Sequence, residues 1–147
     1  WPTILFFVGL FIVVGGLEKV GVITVLANGL LSVTGGNMTM TMLLILWISA
    51  VVSSFLDNIP FVATLIPMIM TIQSHGVDVT PLWWALSLGA CLGGNGTLVG
   101  ASANVVLSGI SKNAGYPITF GKYFKIGFPM MILSVLICSV FLLIRFS

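Results

Sequence analysis

Charged residues are scarce in this sequence. Its 147 residues include five Lys or Arg and three Asp or Glu, so charged side chains make up 5% of the chain, whereas soluble domains carry about a quarter. So few charges cannot cover a water-facing surface, which excludes a soluble globular enzyme. The basic patch that a nucleic-acid-binding protein needs is also missing, and we expect no nucleic-acid partner.

Apolar residues dominate the composition. They make up 59% of the chain and the mean hydropathy is +1.24, which excludes a disordered protein because disordered chains are poor in apolar residues. Cys91 and Cys138 both lie in apolar runs, which favours small hydrophobic side chains over a disulfide or a metal pair. The sequence therefore predicts an integral membrane protein surrounded by the lipid bilayer.

Hydrophobic runs divide the chain into five segments. A helix needs about 20 apolar residues to cross the bilayer, and glycine, proline and polar residues separate the runs. The sequence predicts a transmembrane helix at 3–17, an interfacial helix at 20–34, a re-entrant hairpin at 38–72, a broken transmembrane helix at 82–111 and a transmembrane helix at 126–144. The predicted fold class is all-α, and because neither an initiator Met nor a basic region precedes Trp1, we expect a fragment rather than a signal peptide.

The few charges indicate orientation and anchoring. Lys112, Lys122 and Lys125 fall in one connecting segment, which the positive-inside rule assigns to the cytoplasm. Glu18 and Lys19 end the first apolar run, and their position indicates anchoring at the membrane interface. We expect a multi-pass protein of the cell (inner) membrane.

Two polar breaks interrupt the apolar runs, one at 57–60 and one at 94–104. Non-helical backbone at membrane depth is tolerated only where it is buried in protein or lines a water-filled cavity. Secondary transporters build their sites from discontinuous helices of this kind. The sequence contains no nucleotide-binding loop, no group of metal ligands and no nucleophile beside a base, so a transporter is favoured over an ATP-driven pump or a membrane-embedded enzyme.

The first break holds Asp57 and Asn58. An ionised carboxylate in an apolar region costs about 2.5–3.5 kcal/mol on insertion scales, so we expect a cation, a proton or hydrogen bonds to compensate Asp57. Asp57 can also cap the helix that follows, and Asn58 can simply favour a turn. We predict that both residues bind the substrate or a coupling ion.

The second break combines polar residues with glycines. Its predicted substrate-binding or ion-binding residues are Asn95, Gly96, Thr97, Ser102 and Asn104. Hydrogen-bonded packing between helices is the alternative interpretation, although so many polar residues and glycines exceed what packing needs. Because amide, hydroxyl and carbonyl oxygens suit sodium, a sodium site is predicted at Asp57, Asn58, Asn95 and Asn104.

The motifs at both breaks resemble a known group of transporters. SSFLDNIPFVATLIP (53–67), GACLGGNGTLVGASANVVLSGI (89–110) and FGKYFKIGFPMM (120–131) are similar to the arsenite permease, P-protein and NhaD-type antiporter group of the ion transporter superfamily, with its citrate transporter-like domain. The likeness covers essentially the whole chain and corresponds to the C-terminal third of such proteins.

The resemblance implies that the chain is one repeat of an inverted-repeat transporter. It implies that the hairpin tip at 57–60 and the loop of the broken helix hold a coupling ion, Na⁺ or H⁺, and contact a small ion substrate. It also implies that the N-terminal repeat of the same transporter is a missing partner. Relatives suggest a homodimer, and an arsenical pump would have a soluble ATPase partner.

These observations predict a secondary active transporter that works by alternating access. The expected type is arsenite efflux or sodium/proton antiport, with no cofactor besides the coupling ion. A citrate-type organic anion permease is the alternative, which Asp57 disfavours because its carboxylate repels anions at short range. A structural membrane subunit without transport activity would not need two polar breaks.

Overall fold

The computed structural model describes residues 2–146, and this part of the chain is entirely helical. The prediction of an all-α protein is therefore confirmed. The seven helices are α1 (Pro2–Lys19), α2 (Val22–Val33), α3 (Met38–Ser53), α4 (Asn58–Ser74), α5 (Thr80–Gly93), α6 (Ser102–Asn113) and α7 (Phe120–Phe146).

Short polar segments begin two of these helices. The side chain of Asn37 accepts a hydrogen bond from the backbone N–H of Met40 at 3.2 Å and caps α3, and Asp57 caps α4 by accepting from Ile59 N at 3.2 Å. Such caps satisfy N–H groups that a helix cannot bond internally. The capping role considered for Asp57 is thus present.

The last helix is longer than the apolar run that it contains. α7 begins at Phe120 instead of residue 126, so Lys122 and Lys125 lie on a helix and not in a surface loop. Phe120, Phe124 and Phe128 stack along one side with ring centroids 6.0 and 4.8 Å apart. Aromatic pairs at this spacing stabilise a helix, which hydropathy alone does not reveal.

The most extensive helix contact joins α3 and α5, which form the centre of the molecule. Gly89 permits it, because a Cβ there would lie 2.5 Å from the carbonyl oxygen of Leu46 and 2.8 Å from Cβ of Ser49. α7 packs across this pair, and Trp47 Nε1 donates to Ser139 Oγ at 3.1 Å. Small residues at such positions let helix backbones approach closely.

The first two helices lie beside the α3–α5 centre. The axes of α1 and α2 differ by 66° across a break of two residues, and both helices pack against α4. By contrast, α6 has no buried residue. The chain therefore combines a packed centre with helices that expose much of their surface.

The outer surface of the protein is strongly apolar. Ile126 and Ile144 on α7 are 71% and 81% exposed. Of the helices described, α7 alone is long and apolar enough to cross a membrane, and α1 with α2 meets the same criteria only as a bent pair. Because soluble monomers rarely expose large apolar patches, this exterior agrees with an integral membrane protein.

Gly89→Ala is expected to destabilise the protein by about 1–3 kcal/mol, because the added methyl group overlaps Leu46 and Ser49. Thermal unfolding in detergent, followed by tryptophan fluorescence, measures the change. Gly109→Ala in α6 is the matched control, since no atom lies within 4 Å of its added Cβ and alanine favours a helix. Equal melting temperatures for the two variants would contradict the close α3–α5 approach.

Candidate functional site

The two irregular segments at the polar breaks pack against each other. One is the α3–α4 tip (53–58) and the other is the α5–α6 loop (94–101). Gly100 lies where they meet: a Cβ there would be 2.7 Å from the carbonyl oxygen of Ser54 and 2.8 Å from that of Gly94. Only glycine fits this point, and backbone oxygens from both segments converge on it.

Thr97 joins the α5–α6 loop to the α3–α4 tip. It is fully buried, and its Oγ1 donates a hydrogen bond to the carbonyl oxygen of Ser54. Oγ1 of Thr97 also accepts a hydrogen bond from the backbone N–H of Gly100 at 3.1 Å. One hydroxyl group therefore satisfies backbone groups from both broken segments, as buried backbone polar groups require.

Asn104 holds the loop from the first turn of α6. Its Nδ2 donates to the carbonyl oxygen of Gly94 at 2.9 Å and to that of Thr97 at 3.1 Å. These two carbonyls belong to residues outside the helices, so they have no regular helical donor. The amide thus connects the beginning of α6 to the start and the middle of the α5–α6 loop.

Asn58 occupies the corresponding position on the α3–α4 tip. Its Oδ1 and the carbonyl oxygen of Ala90, at 2.7 Å, both lie within hydrogen-bond distance of Ser53 Oγ, whose single proton is donated to one of them at a time. A Cβ at Gly94 would lie 3.0 Å from Oδ1 and 3.2 Å from Nδ2 of Asn58. The Asn58 amide therefore rests directly against the backbone of the α5–α6 loop.

The structure brings together four of the seven predicted site residues and leaves three at the surface. Asn58, Gly96, Thr97 and Asn104 belong to the cluster at the two breaks. The side chains of Asp57, Asn95 and Ser102 are exposed. Asp57 accepts a hydrogen bond from its own helix, and the carbonyl of Asn95 faces Gly127 of α7.

Sequence reasoning missed four members of the cluster: Ser53, Ser54, Gly94 and Gly100. The two serines are fully buried. The available signal for them was a polar pair in an apolar run, separated from Asp57 by only two apolar residues. Gly94 and Gly100 stood out only as part of a glycine-rich run, because close backbone approach depends on which segment lies opposite.

The cluster offers oxygen ligands and no fixed charge. Carbonyl oxygens converge at Gly100, and the amides of Asn58 and Asn104 border them. In the part of the chain that the structure describes, no three His, Cys, Asp or Glu side chains gather as a metal site. Neutral oxygen donors of this kind fit an alkali cation better than a transition metal.

The chain is similar to a family of transporters and to several membrane proteins. A family model described as citrate transporter (CitMHS) matches residues 1–89. A 46 kDa membrane protein of Mycobacterium leprae is 46% identical over 152 residues, and an uncharacterized transporter of Mycobacterium tuberculosis is 44% identical over 149 residues. Each match covers 99% of this chain and 35% of the relative, so the chain spans about a third of their length. The P protein of Homo sapiens is 43% identical over 153 residues, covering 98% of this chain and 18% of that protein.

Thr97→Val is expected to lower the free energy of unfolding by about 1–3 kcal/mol, because it removes the hydroxyl donor of the buried Ser54 carbonyl and leaves the Gly100 N–H with only the longer bond to the Thr97 carbonyl, at 3.3 Å. Urea unfolding in detergent measures the loss. Thr24→Val, at an exposed position of α2, is the matched control and should change stability by less than about 0.5 kcal/mol. An equally small effect at Thr97 would refute the bridging role.

Proposed function

The chain belongs to the citrate transporter (CitMHS) family, and on this basis we propose that it forms part of a secondary active transporter that works by alternating access. The proposed cargo is a small ion or a metalloid oxyacid, moved by arsenite efflux or by sodium/proton antiport. Membership of a family of membrane transporters makes the chain an integral membrane protein.

The observation that carries the proposal is the contact between the α3–α4 tip and the α5–α6 loop. In a bilayer, backbone without helical hydrogen bonds must be buried in protein or face a wet cavity. Thr97 and Asn104 satisfy part of this backbone. The carbonyls that meet at Gly100 are then suited to lining an ion site, which is how broken helices serve transporters.

We further propose that the chain is one of two inverted repeats. In this proposal 38–72 is a re-entrant hairpin, 82–111 is a broken transmembrane helix and 20–34 is an interfacial helix. The 66° bend between α1 and α2 supports the last assignment, because α2 then does not continue the direction of α1. The partner repeat, which would complete the site, would come from the remaining two thirds of a protein as long as the relatives.

The coupling ion in this proposal is Na⁺ or H⁺. Asn58 and Asn104 are suited to bind sodium directly, because their amides adjoin the converging carbonyls. Asp57 and Asn95 are exposed at the edge of the same two segments. We assign Asp57 the role of attracting or binding the cation from that edge. The exposed Ser102 and the buried Gly96 complete the proposed set of site residues.

One alternative substrate has specific support. The description of the matching family as citrate transporter favours a citrate-type organic anion, whereas the exposed carboxylate of Asp57 would repel such an anion. We keep arsenite or sodium as the leading substrate. The proposed setting is the cell (inner) membrane, with several crossings, a homodimeric assembly and, for an arsenical pump, a soluble ATPase partner.

Everted membrane vesicles that contain the full-length protein test the function. Arsenite uptake is expected to exceed that of vesicles without the protein and to collapse when a protonophore removes the gradient. Uptake of ²²Na⁺ in exchange for protons would assign antiport, and gradient-driven movement of ¹⁴C-citrate would assign the organic anion. If arsenite, sodium and citrate all fail to move, the transporter proposal is wrong and a structural subunit remains.

Asp57→Asn is expected to abolish the dependence of transport on the cation gradient while leaving insertion and folding intact. Asparagine removes the charge but can still cap α4, because both residues are favoured caps. Uptake measured against stepped Na⁺ and pH gradients reports the effect. Asp78→Asn is the matched control, since Asp78 is exposed and likewise accepts a backbone N–H, that of Thr80, at 2.9 Å. Normal cation dependence in Asp57→Asn would rule out its coupling role.

A further inference from the structure

We propose that Glu18 is a second carboxylate of the transport machinery and binds the coupling cation in a cavity between α1 and α4. This proposal rests on the proposed function, because it takes the coupling ion to be Na⁺ or H⁺. It departs from the sequence-based interpretation of Glu18 as an interfacial anchor. The reasons are the cavity, the position of Glu18 on its helix and the continuity with Asn58.

The cavity has a volume of about 580 Å³ and lies between the second half of α1 and the first half of α4. Its wall is mostly apolar and includes Val14, Val62, Ala63 and Pro67. The polar side chains that line it are those of Glu18 and Asn58. A charged group and an amide therefore face an otherwise apolar space that is large enough for a partly hydrated ion.

Helix stability does not explain a glutamate at this position. Glu18 is the penultimate residue of α1, where the helix dipole places partial negative charge. An anion is unfavourable there, whereas the positive charge of Lys19 at the final position is favourable. A purely structural role would be met by Lys19 alone.

The helices around Glu18 supply no positive charge. α1 packs against α2 and α4, and neither of those helices contains a charged residue. Lys19, the next residue in the chain, points about 100° away from Glu18 around the helix. Asp57, which precedes the lining residue Asn58, has the same negative sign as Glu18 and caps α4. A cation that enters the cavity would therefore supply the missing charge.

The remaining polar groups of the wall also favour a cation. Pro67 lies inside α4 and has no N–H, so it cannot donate the helical hydrogen bond to the carbonyl of Ala63. Both residues line the cavity. The amide oxygen of Asn58 already lies within hydrogen-bond distance of Ser53 Oγ. The carboxylate of Glu18 is an acceptor only, and the carbonyl of Ala63 lacks its helical donor, which suits Na⁺ or a proton and opposes an anion.

Asn58 connects the cavity with the candidate site. On one side its amide rests against Gly94 and bonds to Ser53, and on the other side it lines the cavity with Glu18. A cation held by Glu18 would be separated from the converging carbonyls at Gly100 by this one side chain. Glu18 thus lies on a path by which the cation can reach the site.

The test uses the full-length protein in proteoliposomes, with Na⁺ and pH gradients imposed separately. Uptake of ²²Na⁺ and quenching of an internal pH dye distinguish the two cations. Glu18→Gln is expected to raise the half-saturating concentration of the transported cation about tenfold or more, the size expected for losing a contact to a charged group. Glu18→Asp should recover part of the loss, because it restores the carboxylate.

Lys19→Gln is the matched control and should change the same value less than about twofold, because Lys19 is exposed like Glu18 but is not among the residues that line the cavity. Ala63→Phe narrows the cavity and leaves Glu18 in place, so it should slow cation uptake even if Glu18→Gln fails to fold. If Glu18→Gln behaves like Lys19→Gln, or Ala63→Phe transports normally, this proposal is wrong and the proposed function stands. If the wild type moves neither cation, both proposals fail.

Discussion

The need to satisfy broken backbone in an apolar environment governs this structure. A helix bonds its own amides, but each break exposes N–H and C=O groups that lipid cannot satisfy. Here a bond between the two segments and bonds from α6 to one of them satisfy such groups: Thr97 of the α5–α6 loop donates to the carbonyl of Ser54 in the α3–α4 tip, and Asn104 donates to the carbonyls of Gly94 and Thr97 in the α5–α6 loop. The contact between the two segments therefore has a structural role, in addition to the binding role that we propose for it.

Close approach of α3 and α5 makes that contact possible. Gly89 and Gly93 bring the two helices together, since a Cβ at Gly93 would lie 2.8 Å from Cα of Ala50 and one at Gly89 would overlap Leu46. α3 ends at Ser53 and α5 ends at Gly93. Because Gly93 lies against Ala50 of α3, the two breaks begin beside each other. Because protein interiors are close-packed, a larger residue at Gly89 or Gly93 would move α3 and α5 apart and shift the two breaks relative to each other. The geometry of the cluster therefore depends on glycines of the helix contact as well as on its own members.

Hydropathy and turn residues predicted the helical class and the approximate position of the breaks. α4 already begins at Asn58, so the first break lies at 54–57 and not at the predicted 57–60, and the second lies at 94–101, within the predicted 94–104. Hydropathy and turn residues could not predict Ser53 and Ser54, because a serine at a helix end is informative only when the facing segment is known. The beginning of α7 at Phe120 was also missed. Hydropathy does not register the stacking of Phe120, Phe124 and Phe128 along one side of this helix. The predicted roles of the seven site residues stay predictions: four of the residues come together, and Asp57, Asn95 and Ser102 lie exposed. Sequence places residues along the chain, whereas a site depends on neighbours from other helices.

The separation of neutral and charged oxygens fits the requirements of transport. A carboxylate inside the cluster would bind a cation strongly in a low dielectric and release it slowly. In our proposal the neutral carbonyls and amides around Gly100 hold the cation more weakly, which allows both entry and exit. In the proposed mechanism Asp57 at the exposed edge and Glu18 in the α1–α4 cavity raise the local cation concentration, and Asn58 passes the ion between charged and neutral ligands. In such a transporter the backbone carbonyls set the selectivity for the ion, and the carboxylates increase the rate at which the ion arrives. The ion is still released, because no carboxylate holds it inside the cluster.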